Sequence, residues 1–252
     1  MSLSGDLKAA IDPVSWWEHV TGGRQLLDSY QKHMLQYQGD QLIVASRQSG
    51  KSHTCSLKAV HRAIFYPNSL IILVSPTMAQ SVELGMKCAD AAMIARADTT
   101  SESMTHINFR NGSRIVCLPG SESSARGYSN VALIVVDEAS RCPDEVYFAV
   151  KPMLSVSRGQ CICVTTPFLK RGFFYDYWTN PDNHWDKTKV TWRDIPRIDK
   201  DFIEEERRGI PEKVFKMEYE CCFLDADDIG VFSVEMLEKC VDHSGRYQAL
   251  KI

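Results

Sequence analysis

The sequence contains no long apolar run and no apolar leader. No stretch of its 252 residues reaches the roughly 18 uninterrupted apolar residues of a membrane span. The first ten residues, MSLSGDLKAA, lack the apolar core of a signal peptide. We therefore expect a protein that is not secreted, has no transmembrane segment and works in the cytoplasm.

The sequence also lacks the C-x-x-C spacing of zinc sites, although it has nine cysteines. An odd number of cysteines in a chain of this length does not suit a disulfide framework. Cys161 and Cys163 stand two positions apart in a strand-like run, which puts both on one face as small apolar residues. We therefore expect reduced cysteines that pack in the core.

No large excess of one charge is present, because the formal net charge is only −3. This value excludes the global basic field that attracts nucleic acid. Residues 151–200 nevertheless hold nine Lys or Arg against five Asp or Glu, and residues 201–228 hold four against ten. Solvated faces explain most runs of this kind, so residues 151–200 are no more than a candidate DNA surface.

Short apolar blocks separated by helical patterns recur along the chain. Runs this rich in Val and Ile are typical of strands that a parallel sheet buries on both faces. Leu57, Val60, Ile64 and Phe65 recur at helical spacing between the first two blocks, which predicts a βαβ unit. The blocks are QLIVA (41–45), LIILV (70–74), VALIVV (131–136) and QCICVT (160–165). Together they predict an α/β fold with a mainly parallel sheet flanked by helices.

Three further features lie between the second and third blocks. Residues 78–97 have helical composition, and two alternating segments then flank Asn111-Gly112, the dipeptide that favours a type I′ hairpin. Residues 119–130 are rich in Gly and Ser without periodicity, which indicates a loop.

The character of the chain changes after Pro167. Aromatic residues cluster there, and HWDKTKVTW (184–192) alternates like an exposed strand. We therefore predict a core over residues 1–170, a small lid subdomain over 171–228, and a linker segment over 229–252.

The stretch VASRQSGKSHT (44–54) lacks the first glycine of the P-loop pattern G-x-x-x-x-G-K-[ST], because Ala45 stands at that position. Gly50, Lys51 and Ser52 supply the other positions, after an apolar strand and at the start of an amphipathic helix. This geometry aims backbone N–H groups and the positive helix end at a phosphate. Lys51 would then pair with the β- and γ-phosphate oxygens, and the Ser52 hydroxyl would hold Mg²⁺. The alternative is an ordinary turn with a solvated lysine.

A second motif follows 86 residues after Lys51, where VALIVV ends in Asp137 and Glu138. Adjacent carboxylates at a strand end repel each other unless a cation or distinct environments separate them. Asp137 would serve the metal, and Glu138 would polarise the attacking water as general base. The pair therefore predicts ATP hydrolysis, although alone it would more often be a strand end with solvated acids.

These motifs resemble the ATPase domain of the large terminase subunit, the DNA-packaging motor of tailed bacteriophages. In that family an arginine and a glutamine precede G-K-[ST], and SRQSGKS has this form, missing glycine included. The resemblance spans roughly residues 25–235. It implies an ASCE-type, RecA-like P-loop core with a small lid, and an adenine-contacting motif at Tyr30 and Gln31. The expected nucleotide-binding residues are Tyr30, Gln31, Ser46, Arg47, Gln48, Ser49, Gly50, Lys51, Ser52 and His53.

The resemblance also implies roles for a coupling motif and for an arginine finger. Thr165 and Thr166, before Pro167, match the motif that links the γ-phosphate state to movement. Arg126, eleven residues before Asp137, resembles a finger that acts in trans. Arg47 is the rival finger, because its place in the P-loop lets it reach the γ-phosphate in cis.

As a whole, the resemblance implies Mg²⁺-dependent ATP hydrolysis that moves double-stranded viral DNA into a procapsid in the host cytoplasm. The implied partners are the viral portal protein, the small terminase subunit and further copies of the chain in a ring. Contacts to DNA would be to backbone phosphates and would weaken steeply with salt. Members of the family continue into a nuclease with an acid cluster, but this sequence stops at Ile252 before any such strand. We therefore expect no nuclease activity.

Three other functions share these motifs. A helicase-like ATPase fragment would need a second RecA-like domain, which about 80 residues after Thr166 cannot supply. A nucleotide-gated DNA-binding or assembly module without turnover would not need Glu138 beside the metal ligand. Small-molecule kinases usually lack the extra strand that LIILV and the hairpin add between the P-loop and Asp137.

Overall fold

The computed structural model describes residues 3–120 and 127–225, with side chains from residue 7 onward. Arg126 and the predicted linker of residues 229–252 lie outside the described residues. Within the described part, no helix is both long and apolar enough to cross a membrane.

Eight strands of the described residues form one sheet in the order β3-β4-β5-β2-β6-β7-β1-β8. The six strands from β5 to β8 in this order pair in parallel, and β3 and β4 pair antiparallel at one edge. The strands are β1 Gln41–Ala45, β2 Leu70–Ser75, β3 Thr99–Glu102, β4 His106–Phe109, β5 Arg114–Pro119, β6 Val131–Asp137, β7 Gln160–Thr165 and β8 Asp186–Val190. The four predicted apolar blocks are therefore β1, β2, β6 and β7.

The helices cover both faces of this sheet. The described helices are α1 Leu3–Ile11, α2 Pro13–Thr21, α3 Ser29–Gln36, α4 Lys51–Phe65, α5 Met78–Ile94, α6 Asp144–Val150, α7 Phe173–Thr179, α8 Lys200–Gly209 and α9 Glu212–Glu218. Short 3₁₀ turns lie at Ala139–Arg141, Lys151–Leu154 and Trp192–Asp194.

Alternate residues of each central strand enter different cores, which is why these strands are apolar throughout. Ile43 of β1 packs in the core that α2 to α5 cover, and Leu42 packs in the core that α6 and α7 cover. Both side chains are buried. The predicted α/β fold with a mainly parallel sheet between helical layers is confirmed.

The predicted hairpin is present, but its turn is not type I′. Strands β4 and β5 pair antiparallel on either side of Asn111-Gly112. A type I′ turn needs positive φ at both central residues, whereas only Gly112 of this pair has one, at 84°. The Asn111 side chain instead donates to the carbonyls of Ala63 and Ile64 at 2.8 and 3.0 Å, and so ties the hairpin to the end of α4.

The strand order places β7 between the P-loop strand β1 and the acid-bearing strand β6. The extra strand between them along the chain, β2, lies on the far side of β6. The ends of β1, β7 and β6 therefore stand side by side, which brings the P-loop, the threonine pair and the acid pair to one edge of the sheet.

The strand β8 lies in the central sheet, although residues 171–228 were assigned to a separate lid. It pairs in parallel with β1, from Gln41 opposite Asp186 to Ala45 opposite Val190. Its alternating pattern is that of an edge strand, which has one neighbour and one open side. The short helices α8 and α9 follow it and pack together through Ile203, Phe215 and Tyr219.

Candidate functional site

The segment between β1 and α4 forms a tight loop whose backbone faces the carboxyl edge of the sheet. Gln48 and Gly50 adopt left-handed φ values of 57° and 91°, and α4 begins at Lys51. A Cβ atom at Gly50 would lie 2.8 Å from Nε2 of Gln31 and 3.0 Å from Nη2 of Arg197. Glycine is therefore required here both by φ and by space. The loop presents the N-terminal amides of α4, as an oxyanion site requires.

Hydrogen bonds made by the side chains of Tyr30, Gln31 and Ser49 hold the loop in this shape. The Tyr30 hydroxyl donates to the Ser49 carbonyl at 2.7 Å, and the Ser49 hydroxyl donates to the Ser46 carbonyl at 2.8 Å. Nε2 of Gln31 donates to the Thr54 hydroxyl at 3.0 Å. Burial raises the pKa of Tyr30 to about 12.

Tyr30 and Gln31, the pair expected at an adenine, are placed differently. Tyr30 is buried beneath the loop and does not line the cavity described below, whereas Gln31 does. Ser46 and Ser49 are also buried, so these two residues can offer the cavity only backbone groups.

Lys51 is buried at the centre of the site. Its Nζ donates to the carbonyls of Ala45 and Ser46 at 3.2 and 3.0 Å and to the Thr166 hydroxyl at 2.8 Å. The same Nζ lies 3.9 Å from Oε1 of Glu138. One ammonium group thus joins the ends of β1, β7 and β6.

Ser52 and Asp137 meet beside this lysine. The Ser52 hydroxyl donates to Oδ2 of Asp137 at 2.8 Å, and the Glu138 amide donates to Oδ1 at 3.1 Å. Burial raises the pKa of Asp137, against the opposing effects of the Ser52 hydrogen bond and the Lys51 charge. A hydroxyl and a carboxylate at this spacing are the oxygen ligands that Mg²⁺ takes, so these residues fit the expected metal.

Glu138 stands just past the end of β6 with a left-handed φ of 50°. Its Oε2 accepts from the Thr166 amide at 3.3 Å and from the Thr165 hydroxyl at 3.5 Å. Burial raises the pKa of its carboxyl, while the Lys51 charge lowers it and the Asp137 charge raises it again. The carboxylate is thus desolvated and held in place, as a general base must be.

The threonine pair connects Glu138 to the following turn. The Thr165 and Ser140 hydroxyls lie 2.7 Å apart, and the Ser140 hydroxyl donates to the Thr166 carbonyl at 2.9 Å. With the Lys51 contact, Thr166 touches both Lys51 and Glu138. The predicted coupling pair thus lies between the P-loop and the acid pair.

Arg47 reaches away from Lys51 towards α9. Its Nε donates to Oε2 of Glu218 at 2.7 Å, and its amide donates to the Glu218 carbonyl at 2.9 Å. This hydrogen bond and the charge of Glu218 raise the pKa of the guanidinium, which remains 64% exposed. Arg141 lies 3.9 Å from the other oxygen of Glu218. The rival finger, Arg126, lies outside the described residues.

These groups surround a cavity of about 780 Å³ at the carboxyl edge of the sheet. Its size is that of a site for a small molecule. The expected residues that line it are Gln31, Arg47, Gln48, Gly50, Lys51, Ser52, His53, Glu138 and Thr166. His53 packs edge-on against Trp17 at 5.7 Å, and burial and the Lys87 charge lower its pKa.

Sequence motifs did not identify several residues that line this cavity. Arg197 binds the carboxylate of Asp28 and the carbonyl of Ser49, and so lies across the P-loop from a segment almost 150 residues away. It stands in a coil without a motif, so nothing local could have identified it. The other unexpected lining residues are Trp17, Gln25, Leu26, Leu27, Gln80, Lys87, Arg141 and Glu218.

Comparison with known proteins gives a consistent match. A family model for the N-terminal part of the T4-like-virus type of terminase large subunit matches residues 42–239. The large terminase ATPase domain of Thermus phage P74-26 superimposes with a TM-score of 0.70 at 20% identity, over 84% of this chain and 99% of that one.

Two longer solved structures share the fold. The large terminase of the thermophilic bacteriophage D6E in complex with ADP has a TM-score of 0.68 at 13% identity, over 79% of this chain and 54% of that one. The HK97 bacteriophage large terminase gives 0.69 at 12% identity, over 84% and 54%. The chain thus spans about half the length of these two proteins.

Proposed function

Because the chain belongs to the terminase large subunit family and carries the ATPase domain that drives phage DNA packaging, we propose that its 780 Å³ cavity binds and hydrolyses ATP with Mg²⁺. The contact between Ser52 and Asp137 at 2.8 Å, beside Lys51 and Glu138, carries this proposal. It joins the two halves of a P-loop ATPase site. A similar terminase, that of D6E, has been crystallised with ADP.

Ser52 and Asp137 would hold Mg²⁺, which when bound neutralises charge on the β- and γ-phosphate oxygens. Lys51 would exchange its carbonyl and hydroxyl partners for those oxygens. Its present bonds to Ala45 and Ser46 keep the ammonium at the loop, so little movement is required.

Glu138 would accept the proton of the attacking water. The raised pKa of its carboxyl suits proton transfer better than that of an exposed glutamate. Thr165 and Thr166 would sense the loss of the γ-phosphate, since both contact Glu138 and Thr166 also contacts Lys51.

An arginine would stabilise the charge that develops at the γ-phosphate. Arg47 lines the cavity and would act in cis after leaving Glu218. Arg126 would act on the site of a neighbouring chain in a ring. Nucleotide binding would involve Gln31, His53 and the loop amides of residues 46–50.

In the packaging machinery, the proposed partners are double-stranded DNA, the viral portal protein, the small terminase subunit and further copies of this chain. The site of action would be the host cytoplasm. DNA contacts to backbone phosphates would make binding fall steeply with salt. The lid, predicted over residues 171–228, would include Glu218 and Arg197, which both contact the P-loop.

The test is ATP hydrolysis at increasing protein concentration, for the wild type and for Glu138→Ala, with nucleotide binding measured in parallel. We expect hydrolysis to be lost in the variant while ATP binding persists. A rate per chain that rises with concentration would support a finger in trans, and a constant rate would favour Arg47. If the wild type binds ATP without hydrolysing it, even when concentrated and with DNA present, the chain acts as a nucleotide-gated module.

A further inference from the structure

A second cavity lies at the amino edge of the sheet, opposite the catalytic edge. Its volume is about 150 Å³, and its walls come from α4, from the turn before β7 and from the start of β6. Arg62, on one wall, follows Lys51 by eleven residues along the same helix. At about 1.5 Å per residue the two side chains leave the helix about 16 Å apart. The second cavity is therefore separate from the nucleotide site.

Lys58 is the most deeply buried charge in this cavity, with 6% of its surface exposed. Its Nζ donates to the carbonyls of Leu35 and Tyr37 at 2.7 and 2.8 Å. An ammonium group has three donors, so one is left for another acceptor. Burial, and after it the like charge of Arg62, lowers the pKa of Lys58 to about 7.

Arg62 supplies a second cation on the next turn of α4. Its guanidinium lies over the Tyr66 ring, 4.1 Å from the centroid. Its Nε is buried and has no hydrogen-bond partner among the described residues. Burial lowers the pKa of this arginine as well. A buried donor of this kind is costly unless something accepts from it.

Arg158 adds a third cation, and Ser157 and Gln160 add polar groups to the same lining. None of the described residues that line the cavity is acidic. His61 also lines it, but burial lowers its pKa to about 4, so the imidazole is neutral near pH 7.

Two acids close in sequence to lining residues already have partners. Asp12 accepts from the Ser15 hydroxyl, the Val14 amide and the Gln36 side chain. Asp40 pairs with Lys151 at 2.6 Å and accepts from the Cys161 amide at 2.7 Å. Neither is among the causes that lower the pKa of Lys58 or Arg62, although the Asp12 charge acts on His61. Among the described residues, no ion pair joins an acid to any of the three cations.

We propose that this cavity is an oxyanion site that binds a phosphate group through Lys58, Arg62 and Arg158. Three cations that line one cavity without an acid, with free donors on Lys58 and Arg62, are the chemistry that recognises a tetrahedral oxyanion. The volume of about 150 Å³ is several times what one water molecule needs and admits a phosphate group. The phosphate can be a free ion or belong to a DNA backbone that passes this edge of the sheet.

The first experiment measures thermal unfolding with increasing inorganic phosphate at constant ionic strength. It uses Lys51→Ala as the background, because the P-loop would also bind phosphate. We expect phosphate to raise the Tm of this background protein, and to lose that effect when Arg62→Gln or Arg158→Ser is added. Arg110→Gln is the matched control, since it removes an exposed arginine paired with Asp98. Arg158 is exposed, so Arg158→Ser leaves the protein folded and keeps the test decisive.

The second experiment identifies the source of the phosphate. Binding of a short DNA duplex is measured at several salt concentrations, for chains with intact Lys51. If a DNA phosphate occupies the site, Arg62→Gln lowers the slope of log K against log salt by about one, and Arg110→Gln does not. If Arg62→Gln abolishes the stabilisation by phosphate but leaves the slope of log K against log salt unchanged, the ligand is a free phosphate ion. If neither phosphate stabilisation nor the slope changes in the two variants, the site does not exist.

This inference does not rest on ATP hydrolysis, because phosphate stabilisation is measured in a protein without Lys51. Loss of turnover in Glu138→Ala and loss of phosphate stabilisation in Arg62→Gln are separate results. Either proposal can therefore fail while the other stands.

Discussion

The two edges of the central sheet differ in how their positive charges are paired. At the carboxyl edge each cation lies near a carboxylate: Lys51 near Glu138, Arg47 beside Glu218, and Arg197 beside Asp28. At the amino edge Lys58, Arg62 and Arg158 line one cavity that contains no acid among its described residues. The same helix, α4, carries Lys51 at the carboxyl edge and Lys58 at the amino edge.

The pKa values of the arginines reflect both pairing and burial. The hydrogen bond and charge of Glu218 raise the pKa of Arg47, whereas burial lowers the pKa of Arg62 and also that of Arg197, which contacts Asp28. A paired cation can exchange its protein partner for a phosphate and return, which suits a cycle of binding and hydrolysis. An unpaired buried cation is stabilised only when an anion arrives, which suits a site that is filled by a ligand.

The largest effect is expected when Glu138, the proposed general base at the carboxyl edge, is replaced. Glu138→Gln should lower the rate of ATP hydrolysis by roughly 10²- to 10⁴-fold, because the amide cannot accept a proton from water. Nucleotide binding should persist, since Lys51 and Ser52 are intact. Steady-state hydrolysis and equilibrium ATP binding measure the two quantities.

Glu145→Gln provides the control for this change. Glu145 is an exposed acid in the first turn of α6 and does not line the catalytic cavity. Equal losses of ATP hydrolysis in Glu138→Gln and Glu145→Gln would contradict the proposed role of Glu138 as general base.

The next prediction concerns the amino edge and the way in which the free energy of unfolding depends on pH. Lys58 has a pKa of about 7 when folded and about 10.4 when unfolded, so between these values the unfolded chain holds one more proton. Stability of the wild type relative to Lys58→Met should therefore rise by roughly 4 kcal/mol from pH 7 to pH 10. Below pH 7 the lysine is protonated in both states and the difference should be flat. Denaturant unfolding in phosphate-free buffer measures it.

The control for the pH experiment is Lys32→Met. Lys32 is an exposed lysine that pairs with Glu18 at 3.3 Å. Its stability difference from the wild type should change little across the same window. A flat difference for Lys58→Met as well would show that Lys58 keeps its proton, and the contrast between the edges would then be lost.

A smaller effect concerns the acid side of the activity profile. Because burial raises the pKa of Glu138, the rate of hydrolysis should begin to fall at a pH above the ordinary glutamate value of about 4.3. Arg141→Gln should shift this fall in rate to a still higher pH, since the Arg141 charge lowers the pKa of Glu138. Initial rates of hydrolysis from pH 5 to 8, on protein shown to be folded, measure the shift. An unchanged pH dependence in Arg141→Gln would contradict this account.

The smallest expected effect concerns the support of the P-loop. Tyr30→Phe removes the hydrogen bond to the Ser49 carbonyl and should lower stability by about 1 kcal/mol. ATP affinity should fall by no more than about fivefold, because Tyr30 supports the loop without lining the cavity. Tyr37→Phe, at an exposed tyrosine, serves as the control. A loss of affinity above a hundredfold would instead indicate direct contact with nucleotide.

Local sequence patterns were sufficient to predict the central strands and the main motifs. QLIVA, LIILV, VALIVV and QCICVT became strands with almost the predicted bounds, because strands buried on both faces must be apolar at every position. The P-loop was recognisable without its first glycine, since Gly50, Lys51 and Ser52 stand between a buried strand and an amphipathic helix. These signals are local, and so a single sequence contains them.

Where prediction and structure differ, a tertiary contact is the reason. Asn111-Gly112 did not form a type I′ turn, because Asn111 bonds to the end of α4. Residues 186–190 form β8 of the central sheet, because they pair with β1 on the side that β7 does not occupy. Tyr30 lies beneath the P-loop, where its hydroxyl donates to the Ser49 carbonyl, and its expected contact with adenine stays a prediction.

The pairing of charges depends on the tertiary fold. Arg197 reaches the P-loop from a distant coil, Glu218 reaches Arg47 from α9, and Arg158 joins Lys58 and Arg62 across the sheet edge. Four of the nine cations of residues 151–200 pair with Asp40, Asp225, Glu220 and Asp28 from other segments. Charge counts along the chain could not anticipate this, because the interaction of two charges depends on their distance in space and on the surrounding burial.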